Sequence, residues 1–478
     1  MTTDIPAPDV SGRPRRFHVV GIGGAGMSAI ATALVGLGHR VTGSDLKDSS
    51  VVDRVRALGI DVSIGHDASN LGDADAVALS TAIPRSNPEL VEAERRGLEI
   101  LTRAQVLAAI CGTRRTIAVA GSHGKTTTSS MLALILRHAG WSPSFIIGGD
   151  LNEVGSGAVW DDGEWLVVEA DESDGTFLHL PRQAAVLTSV EPDHLEHWGG
   201  ETQLIEGFRS FLREVIGPKV ACADDRGAAA LAGEVGATTY GQRAGSDYLI
   251  GHVELAAASA AFQVTPPGAE PFSVSLPVPG LHNVLNAAGA LALALELGVD
   301  RADAVAALAR FGGVARRMEF RGERDGITYI DDYAHLPGEV ECAIAAARAG
   351  QWGRVVVVFQ PHRFSRTASL APSFARSFDE ADVVVITDIY SAGEAPRPGI
   401  TGKLVVDAVA AGAGGPSRAS LRGGGPEPLA RRGGRQPKVV WLPSHGDLVD
   451  WLRANLRSGD LCLTLGAGDL TTLPSQLL

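Results

Sequence analysis

The sequence predicts an α/β protein of three domains built on mostly parallel sheets, and three observations carry that expectation. The chain has 478 residues, 45% of them hydrophobic, which is enough for roughly three cores of about 150 residues each. Apolar strands alternate with helical segments along most of its length, the rhythm of parallel strands joined by crossover helices. Twice, a strand runs into a glycine turn that opens a helix, the arrangement in which helix-start amides hold phosphate groups.

The elements follow in order. Residues 1–16 carry Asp4 and Asp9 among prolines and end in Arg13, Arg15 and Arg16 with no apolar run; they read as a flexible tail, not a signal peptide. Residues 17–113 form the first, Rossmann-like unit: strand Phe17–Val20, helix Met27–Leu37, strand Arg40–Thr42 and strand Ala76–Ser80. Residues 114–312 form a central ATPase-type unit, with strand Thr116–Ala120, helix Thr126–Ala139, and strands Trp165–Glu169 and Ala185–Thr188. After the Gly312-Gly313 break, residues 313–478 form a second Rossmann-like unit. Its segments are strand Thr328–Ile330, helix Gly338–Ala349, strand Val355–Phe359, helix Leu370–Phe378 and strand Val383–Ile386. Inside it, residues 411–438 are nearly all Gly, Pro, Arg, Ala and Ser, with Leu421 and Leu429 as the sizeable apolar side chains. Such a segment cannot offset its ordering entropy and is expected to be a disordered insertion.

Composition narrows the function classes. With 42 Lys and Arg against 55 Asp and Glu, the net charge of −13 provides no global positive field for nucleic acid or an anionic membrane. Polyanions must be bound by local devices. The longest apolar stretch, Leu285–Leu297, is interrupted by Glu296 and falls short of a membrane span. Cys111, Cys222, Cys342 and Cys462 form no C-x-x-C pair; they read as scattered small core residues of a reduced, cytoplasmic protein.

The first glycine turn is Gly21-Ile22-Gly23-Gly24-Ala25-Gly26, with Asp45 at the end of the next strand. Its amides can hold a diphosphate and Asp45 a ribose hydroxyl. Alone, this pattern points to a nicotinamide dehydrogenase. The second turn is Gly121-Ser122-His123-Gly124-Lys125-Thr126-Thr127-Thr128, which lacks the first glycine of a full P-loop because Val119 stands there. It still supplies helix amides, Lys125 for the β and γ phosphates of ATP, and the Thr126 hydroxyl for Mg²⁺. A lysine at the positive end of a helix dipole is unfavourable without an anion nearby.

Strand Trp165–Val168 runs into Glu169-Ala170-Asp171-Glu172-Ser173-Asp174. Carboxylates crowded at a strand's carboxyl end repel unless a cation sits among them, which makes Glu169 a Mg²⁺ candidate. Asp171, Glu172 and Asp174 read equally well as a solvated acidic turn. His194, in Glu191-Pro192-Asp193-His194-Leu195-Glu196-His197, follows another strand of the same sheet and is a candidate second-metal or water ligand, although a lone histidine is usually structural.

These motifs, together with Gly280-Leu281-His282-Asn283-Val284-Leu285-Asn286-Ala287-Ala288, Arg316-Arg317-Met318-Glu319, and the C-terminal DDYAH, QPHRFSRT and DIYSAGE segments, resemble the Mur ligases of peptidoglycan synthesis. The resemblance spans residues 17–410 and 439–478. With the N-terminal Ser80-Thr81-Ala82-Ile83-Pro84, it is strongest to the members that join L-alanine to UDP-N-acetylmuramate. It implies that Gly21, Gly23, Gly24, Ala25, Gly26, Met27, Ser28, Asp45, Ser80 and Thr81 bind the UDP-sugar. Gly121, Ser122, His123, Gly124, Lys125, Thr126, Thr127, Asn283, Asn286, Arg317 and Asp332 would bind ATP, and Thr126, Glu169 and His194 would hold Mg²⁺. Lys125, His194, His335, Arg363 and Arg366 would be catalytic, with Tyr333, His335, Arg363 and Arg366 on the amino-acid side.

General chemistry agrees with those roles. A carboxylate is inert to amines until ATP converts it to an acyl phosphate, and arginine forks suit carboxylate and phosphate. Surface ion-pair residues are the lesser alternative for Arg363 and Arg366, while His335 and His362 could equally be packed, hydrogen-bonded histidines. Leu336 and Gly338 stand where the family usually has histidine and threonine. Two other activities fit parts of the sequence: a relative that attaches a tripeptide to the same UDP-sugar, and a nicotinamide oxidoreductase using only the first glycine turn.

Overall fold

The computed structural model of the chain describes residues 10–80, 82–256, 258–348, 350, 352–412 and 437–478. It holds three sheets, and the chain divides into two compact units. The first unit comprises residues 1–249, 265–270 and 286–308; the second comprises 250–264, 271–285 and 309–478.

The first sheet of the first unit is formed by β1 (Arg16–Val20), β2 (Arg40–Asp45), β3 (Asp61–Ile64), β4 (Ala76–Leu79) and β5 (Glu99–Thr102), in the order β3-β2-β1-β4-β5. All pairs are parallel. The order reverses between β1 and β4, so the turns after those two strands face one crevice, the usual ligand position in an open α/β sheet. The glycine turn follows β1 and Ser80 follows β4. The expected tail is anchored from Val10 on: Val10 is buried, its carbonyl lies 2.9 Å from His39 Nε2, and Arg16 already belongs to β1. Residues 1–9 lie outside the described residues.

The larger sheet of this unit contains β6 (Arg115–Ala120), β7 (Ser144–Leu151), β8 (Ser156–Val159), β9 (Trp165–Glu169), β10 (Ala184–Leu187), β11 (Lys219–Cys222) and β12 (Thr238–Gly241), in the order β12-β11-β10-β6-β9-β7-β8. Only β8 among these runs antiparallel. The central strands are apolar throughout because both faces are covered; Ile117, Ala118, Val119 and Ala120 are all fully buried. Phe177 meets Phe208 edge to face and stacks on Phe211, each with ring centroids 5.3 Å apart. β6 lies between β9 and β10, with Val119 opposite Glu169 and Ala120 opposite Leu187. This register brings the second glycine turn, the acidic turn and the segment leading to His194 to one sheet edge. β13 (Tyr248–Leu255) begins beside β12.

The second unit holds the antiparallel pair β14 (Ala260–Thr265, in this unit up to Val264) and β15 (Phe272–Leu276). Its six-stranded sheet runs β16 (Glu319–Arg324), β17 (Ile327–Asp332), β21 (Asp460–Leu465), β18 (Arg354–Phe359), β19 (Val383–Ile386) and β20 (Lys438–Trp441). Strand alternation divides its core. Val355, Val357 and Phe359 enter one cluster, Val356 and Val358 the other, and each valine so buried contributes about 1.5–3 kcal/mol.

Several expectations change. The helix predicted over Leu370–Phe378 is a helix at Phe364–Leu370 followed by a 3₁₀ turn at Ala371–Arg376. Pro372 has no amide hydrogen to continue the α pattern. Cys111, Cys222 and Cys462 are buried as expected, but Cys342 is exposed, because it falls on the outer face of helix Pro337–Arg348. Of the predicted insertion, residues 413–436 lie outside the described residues. Among the described residues no helix is long and apolar enough to cross a membrane.

Candidate active site

The helix Lys125–His138 starts directly after the second glycine turn, with Gly124 at its N-cap and no side chain accepting from its first amides. Helix Ala25–Gly36, after the first turn, begins the same way on Gly24. Ser49, Asn87, Thr102 and Asp225 cap other helices with their side chains, while Glu201–Arg213 and Lys403–Ala411 also start uncapped but follow no strand-glycine turn. The two bare starts on the glycine turns therefore offer donors and a positive dipole end to an anion. The glycines at the second turn are required by sterics. Gly124 has φ +80°, and a Cβ there would lie 2.3 Å from Asn286 Oδ1; Gly121 has φ +133°, and a Cβ would lie 2.2 Å from Thr188 Oγ1.

Lys125 reaches back over the turn. Its Nζ donates to Gly121 O at 2.6 Å, to Glu172 Oε2 at 2.8 Å and to Ser122 O at 3.4 Å. Burial opposes the ammonium charge, but Glu172, Asp171 and Glu169 outweigh it and hold Lys125 above its ordinary range. The acidic segment is thus no solvated turn: Glu172 is buried, and a cation does sit among the carboxylates. Asp171 is also desolvated, yet Lys125 and the Ser173 hydroxyl and amide keep its carboxyl below the usual range.

Thr126 Oγ1 donates to Glu169 Oε1 at 3.2 Å, and Gly148 N donates to Glu169 Oε2 at 2.8 Å. Among the described residues no group of three or more metal-ligating side chains converges. A hydroxyl beside one carboxylate is nonetheless the sparse oxygen set that Mg²⁺ uses when phosphates complete its shell. His194 has a positive φ of 52°, its Nε2 lies 3.3 Å from Asp193 Oδ2, and it acts electrostatically on Asp171. Ser122 Oγ and Glu191 exchange backbone contacts at 2.8 and 3.1 Å, while His123 Nε2 lies 3.2 Å from Glu191 Oε2. Thr127 is buried. Asn286 packs against the turn, accepting from Thr128 Oγ1 at 3.3 Å, so its side chain braces the phosphate loop. Asn283 is buried and donates to Pro279 O at 2.7 Å.

At the first turn Gly24 and Ala25 are exposed and Gly23 and Gly26 partly so. Gly21 N donates to Ser44 O at 2.8 Å. Asp45 differs from expectation in what it already holds: Oδ2 accepts from Gly23 N at 2.9 Å and Oδ1 from Lys47 N at 3.1 Å, so the carboxylate shapes the turn. Met27 is 2% exposed and packs into the core, so its side chain is not a ligand contact; its backbone and Ser28 remain at the helix start. Ser80 Oγ accepts from Ala82 N at 3.3 Å. Thr81 lies outside the described residues.

A second cluster lies in the second unit. The guanidinium carbons of Arg316 and Arg317 stand 4.8 and 5.2 Å from the Tyr333 ring centre. Asp332 accepts from Ala334 N at 2.7 Å and Met318 N at 2.8 Å, and burial pushes its carboxyl up to about 6 against the pull of Arg317. His335 is partly buried between Tyr333 and His362, with ring centres at 5.5 and 5.4 Å, and desolvation holds its imidazole below its ordinary value. Glu339 accepts from the amides of His335 and Leu336 at 2.9 and 3.1 Å, so the loop bearing the unusual Leu336 is held by a carboxylate. Arg366 Nη1 lies 3.1 Å from His362 Nδ1. Burial, with His335, Arg366 and Arg363 nearby, pushes His362 down to about 3. Accepting from Arg366 places the proton of the neutral His362 ring on Nε2. Arg363 is exposed, with φ +66°.

His194, Arg316, Met318 and Arg363 are non-glycine residues with positive φ, a strained state that collects at functional sites. Sequence reasoning identified the motifs but not this strain, nor the buried partnership of Glu172 with Lys125, nor Arg103, which donates to Asp174.

Comparison with known proteins covers most of the chain. Residues 16–115 match the Mur ligase family, catalytic domain; residues 119–294 match the Mur ligase middle domain; residues 316–468 match the Mur ligase, glutamate ligase domain. The chain is 45% identical to the UDP-N-acetylmuramate–L-alanine ligase of Kineococcus radiotolerans, over 99% of this chain and 97% of that one. It is similar to the crystal structure of UDP-N-acetylmuramate-alanine ligase MurC from Thermotoga maritima, with TM-score 0.79, 29% identity and coverage of 97% and 98%. A murein peptide ligase from Psychrobacter arcticus shares the fold, with TM-score 0.69, 23% identity and coverage of 97% and 98%.

Proposed function

The chain belongs to the Mur ligase family, and from that premise we propose that it is the ATP-dependent ligase that joins L-alanine to UDP-N-acetylmuramate in peptidoglycan precursor synthesis. The observation that carries the ATP step is the bare helix start at Lys125, with Glu169 and Thr126 touching beside it. Relatives of nearly equal length that carry the L-alanine ligase name support alanine over a tripeptide as the amine substrate. They equally support a UDP diphosphate over NAD at the first glycine turn. A chain that consumes ATP and a nucleotide-linked sugar has its substrates in the cytoplasm.

In this reading the amides after Gly124 and the Lys125 ammonium hold the β and γ phosphates of ATP. Lys125 exchanges its hold on Glu172 for phosphate oxygens, and the buried carboxylates keep it protonated throughout. Thr126 and Glu169 would hold Mg²⁺ and His194 a second ion; an ion bound there would supply neutralisation of charge on the transferring phosphoryl group. The UDP-sugar carboxylate attacks the γ-phosphorus in line and becomes an acyl phosphate, with ADP leaving. The alanine amine then attacks the acyl carbon, and phosphate leaves. Arg363 and Arg366 are proposed to bind the amino-acid carboxylate or the acyl phosphate. His362 orients Arg366 through Nδ1, and the neutral His335 beside it is available to take the ammonium proton. Asp332 and Arg317 are proposed as nucleotide contacts, with Asn283 near the base, and Asn286 as the brace of the phosphate loop.

The test is a drop-out assay. ADP and phosphate should appear only when ATP, Mg²⁺, UDP-N-acetylmuramate and L-alanine are all present, with UDP-N-acetylmuramoyl-alanine found by mass spectrometry. Turnover with the L-Ala-γ-D-Glu-meso-diaminopimelate tripeptide but not with L-alanine would overturn the amine assignment.

A further inference from the structure

The acidic turn after β9 is tied to the first glycine turn by Arg103. Helix Arg103–Gly112 follows β5 at the carboxyl edge of the first sheet, the edge that also bears the Gly21–Gly26 turn. A capping box between Thr102 and Gln105 fixes the start of this helix, and with it the position of Arg103. The Arg103 side chain lies over Gly26: a Cβ at Gly26 would stand 3.2 Å from Arg103 Cδ and 3.4 Å from Nη1. The last glycine of the motif therefore makes room for a guanidinium. Nη2 of the same group donates to Asp174 Oδ2 at 3.1 Å, and Asp174 Oδ1 accepts from Thr176 N at 3.0 Å.

This cation stands at the positive ends of two helices, its own and Ala25–Gly36. Both dipoles oppose it, and the negative partner seen there is Asp174, a side chain 36% exposed. A guanidinium has five donors; Gly24 N is taken up by Gly21 O at 3.0 Å, and a diphosphate lying on the helix-start amides of Ala25 and Gly26 would meet the remaining guanidinium donors. We propose that Arg103 is a substrate-binding residue: it grips the diphosphate of the UDP-sugar over Gly26 while Asp174 anchors it to the acidic turn carrying Glu169 and Glu172. This rests on the reading of the first turn as a UDP-sugar site. It makes Asp174 the orienting partner of Arg103, outside the metal site proper.

Calorimetric titration of the full-length protein with UDP-N-acetylmuramate, and separately with a non-hydrolysable ATP analogue, tests the assignment. Arg103→Ala should raise the Kd for UDP-N-acetylmuramate by about 10- to 100-fold, in line with loss of a charge-assisted contact, and leave the ATP-analogue Kd within twofold. Arg103→Lys, which keeps the charge without the fork, should fall between. A Kd for UDP-N-acetylmuramate within twofold of wild type in Arg103→Ala overturns the proposal. So does an equal loss of both ligands, which would make Arg103 only a strut for the acidic turn. If the wild-type protein binds the ATP analogue but not UDP-N-acetylmuramate, the earlier reading of the first turn fails instead.

Discussion

Replacing Lys125 by methionine should do more than remove a phosphate contact, because Lys125 is half of a buried ion pair. Its Nζ lies 2.8 Å from Glu172 Oε2, with the two side chains 13% and 2% exposed. Methionine keeps the length and deletes the charge, leaving Glu172 buried beside Asp171 with no cation. Removing one partner of a buried pair costs about 3–5 kcal/mol; since Glu172 can take up a proton, about 3 kcal/mol is expected. In a domain of about 200 residues each kcal/mol moves the melting temperature by about 2–4 °C. The central transition of Lys125→Met should therefore fall by about 6–12 °C in calorimetry at neutral pH without nucleotide. Lys125→Met with Glu172→Gln should regain most of that loss while remaining inactive, since the phosphate contact is still missing. The reasoning is refuted if Lys125→Met melts within 2 °C of wild type, or if the double variant is no more stable than the single one.

Gly124→Ala forces a Cβ to within 2.3 Å of Asn286 Oδ1 at φ +80°; we expect at least a tenfold weaker ATP analogue, read by calorimetry, and Asn286→Ala in the same chain should relieve part of it. Asp332 is raised to about 6 from 3.8, with burial the leading cause, so the unfolded chain ionises first and stability declines as pH rises from about 4 to about 6. Asp332→Asn should abolish that decline, worth at most about 3 kcal/mol, in urea midpoints taken across the interval. Glu89 behaves oppositely. Although burial works against its charge, the nearby His18 imidazole, 3.8 Å away, and hydrogen bonds from Asn70 at 2.7 Å and Ser44 at 2.7 Å hold it down at about 2. Its stabilisation is complete above about pH 4.5 and lost as pH falls through about 2; Glu89→Gln should flatten that limb of an acid-unfolding curve followed by circular dichroism.

The parts of the fold that depend on local pattern were legible in the sequence. Short apolar runs located β1, β6, β9, β10, β18 and β19 to within a residue or two, and the glycine turn after β6 with Glu169 at the end of β9 predicted one ligand edge. What escaped was written in weaker signals. β7 and β8 are rich in glycine and polar residues, and β14 and β15 alternate for a half-buried ribbon that no motif marks. Helix Phe364–Leu370 was misplaced because apolar periodicity outweighed Pro372. At the site, residue types could be assigned but not their partners. Asp45 holds Gly23, Met27 is core, Asn286 braces Gly124, and Glu172 is buried on Lys125. Each is a tertiary contact between segments far apart in sequence. Arg103 has no motif of its own; its role emerges only when Gly26 and Asp174 are seen on either side of it.

The central claim is that the UDP-sugar carboxylate is activated by taking the γ-phosphoryl group of ATP before the amine arrives. Carboxyl-¹⁸O-labelled UDP-N-acetylmuramate tests this directly, because the attacking oxygen leaves with phosphate when the amine displaces it. One ¹⁸O should appear in each phosphate released and one should remain in the new amide of UDP-N-acetylmuramoyl-alanine. Unlabelled phosphate, with product still formed, would contradict an acyl-phosphate route.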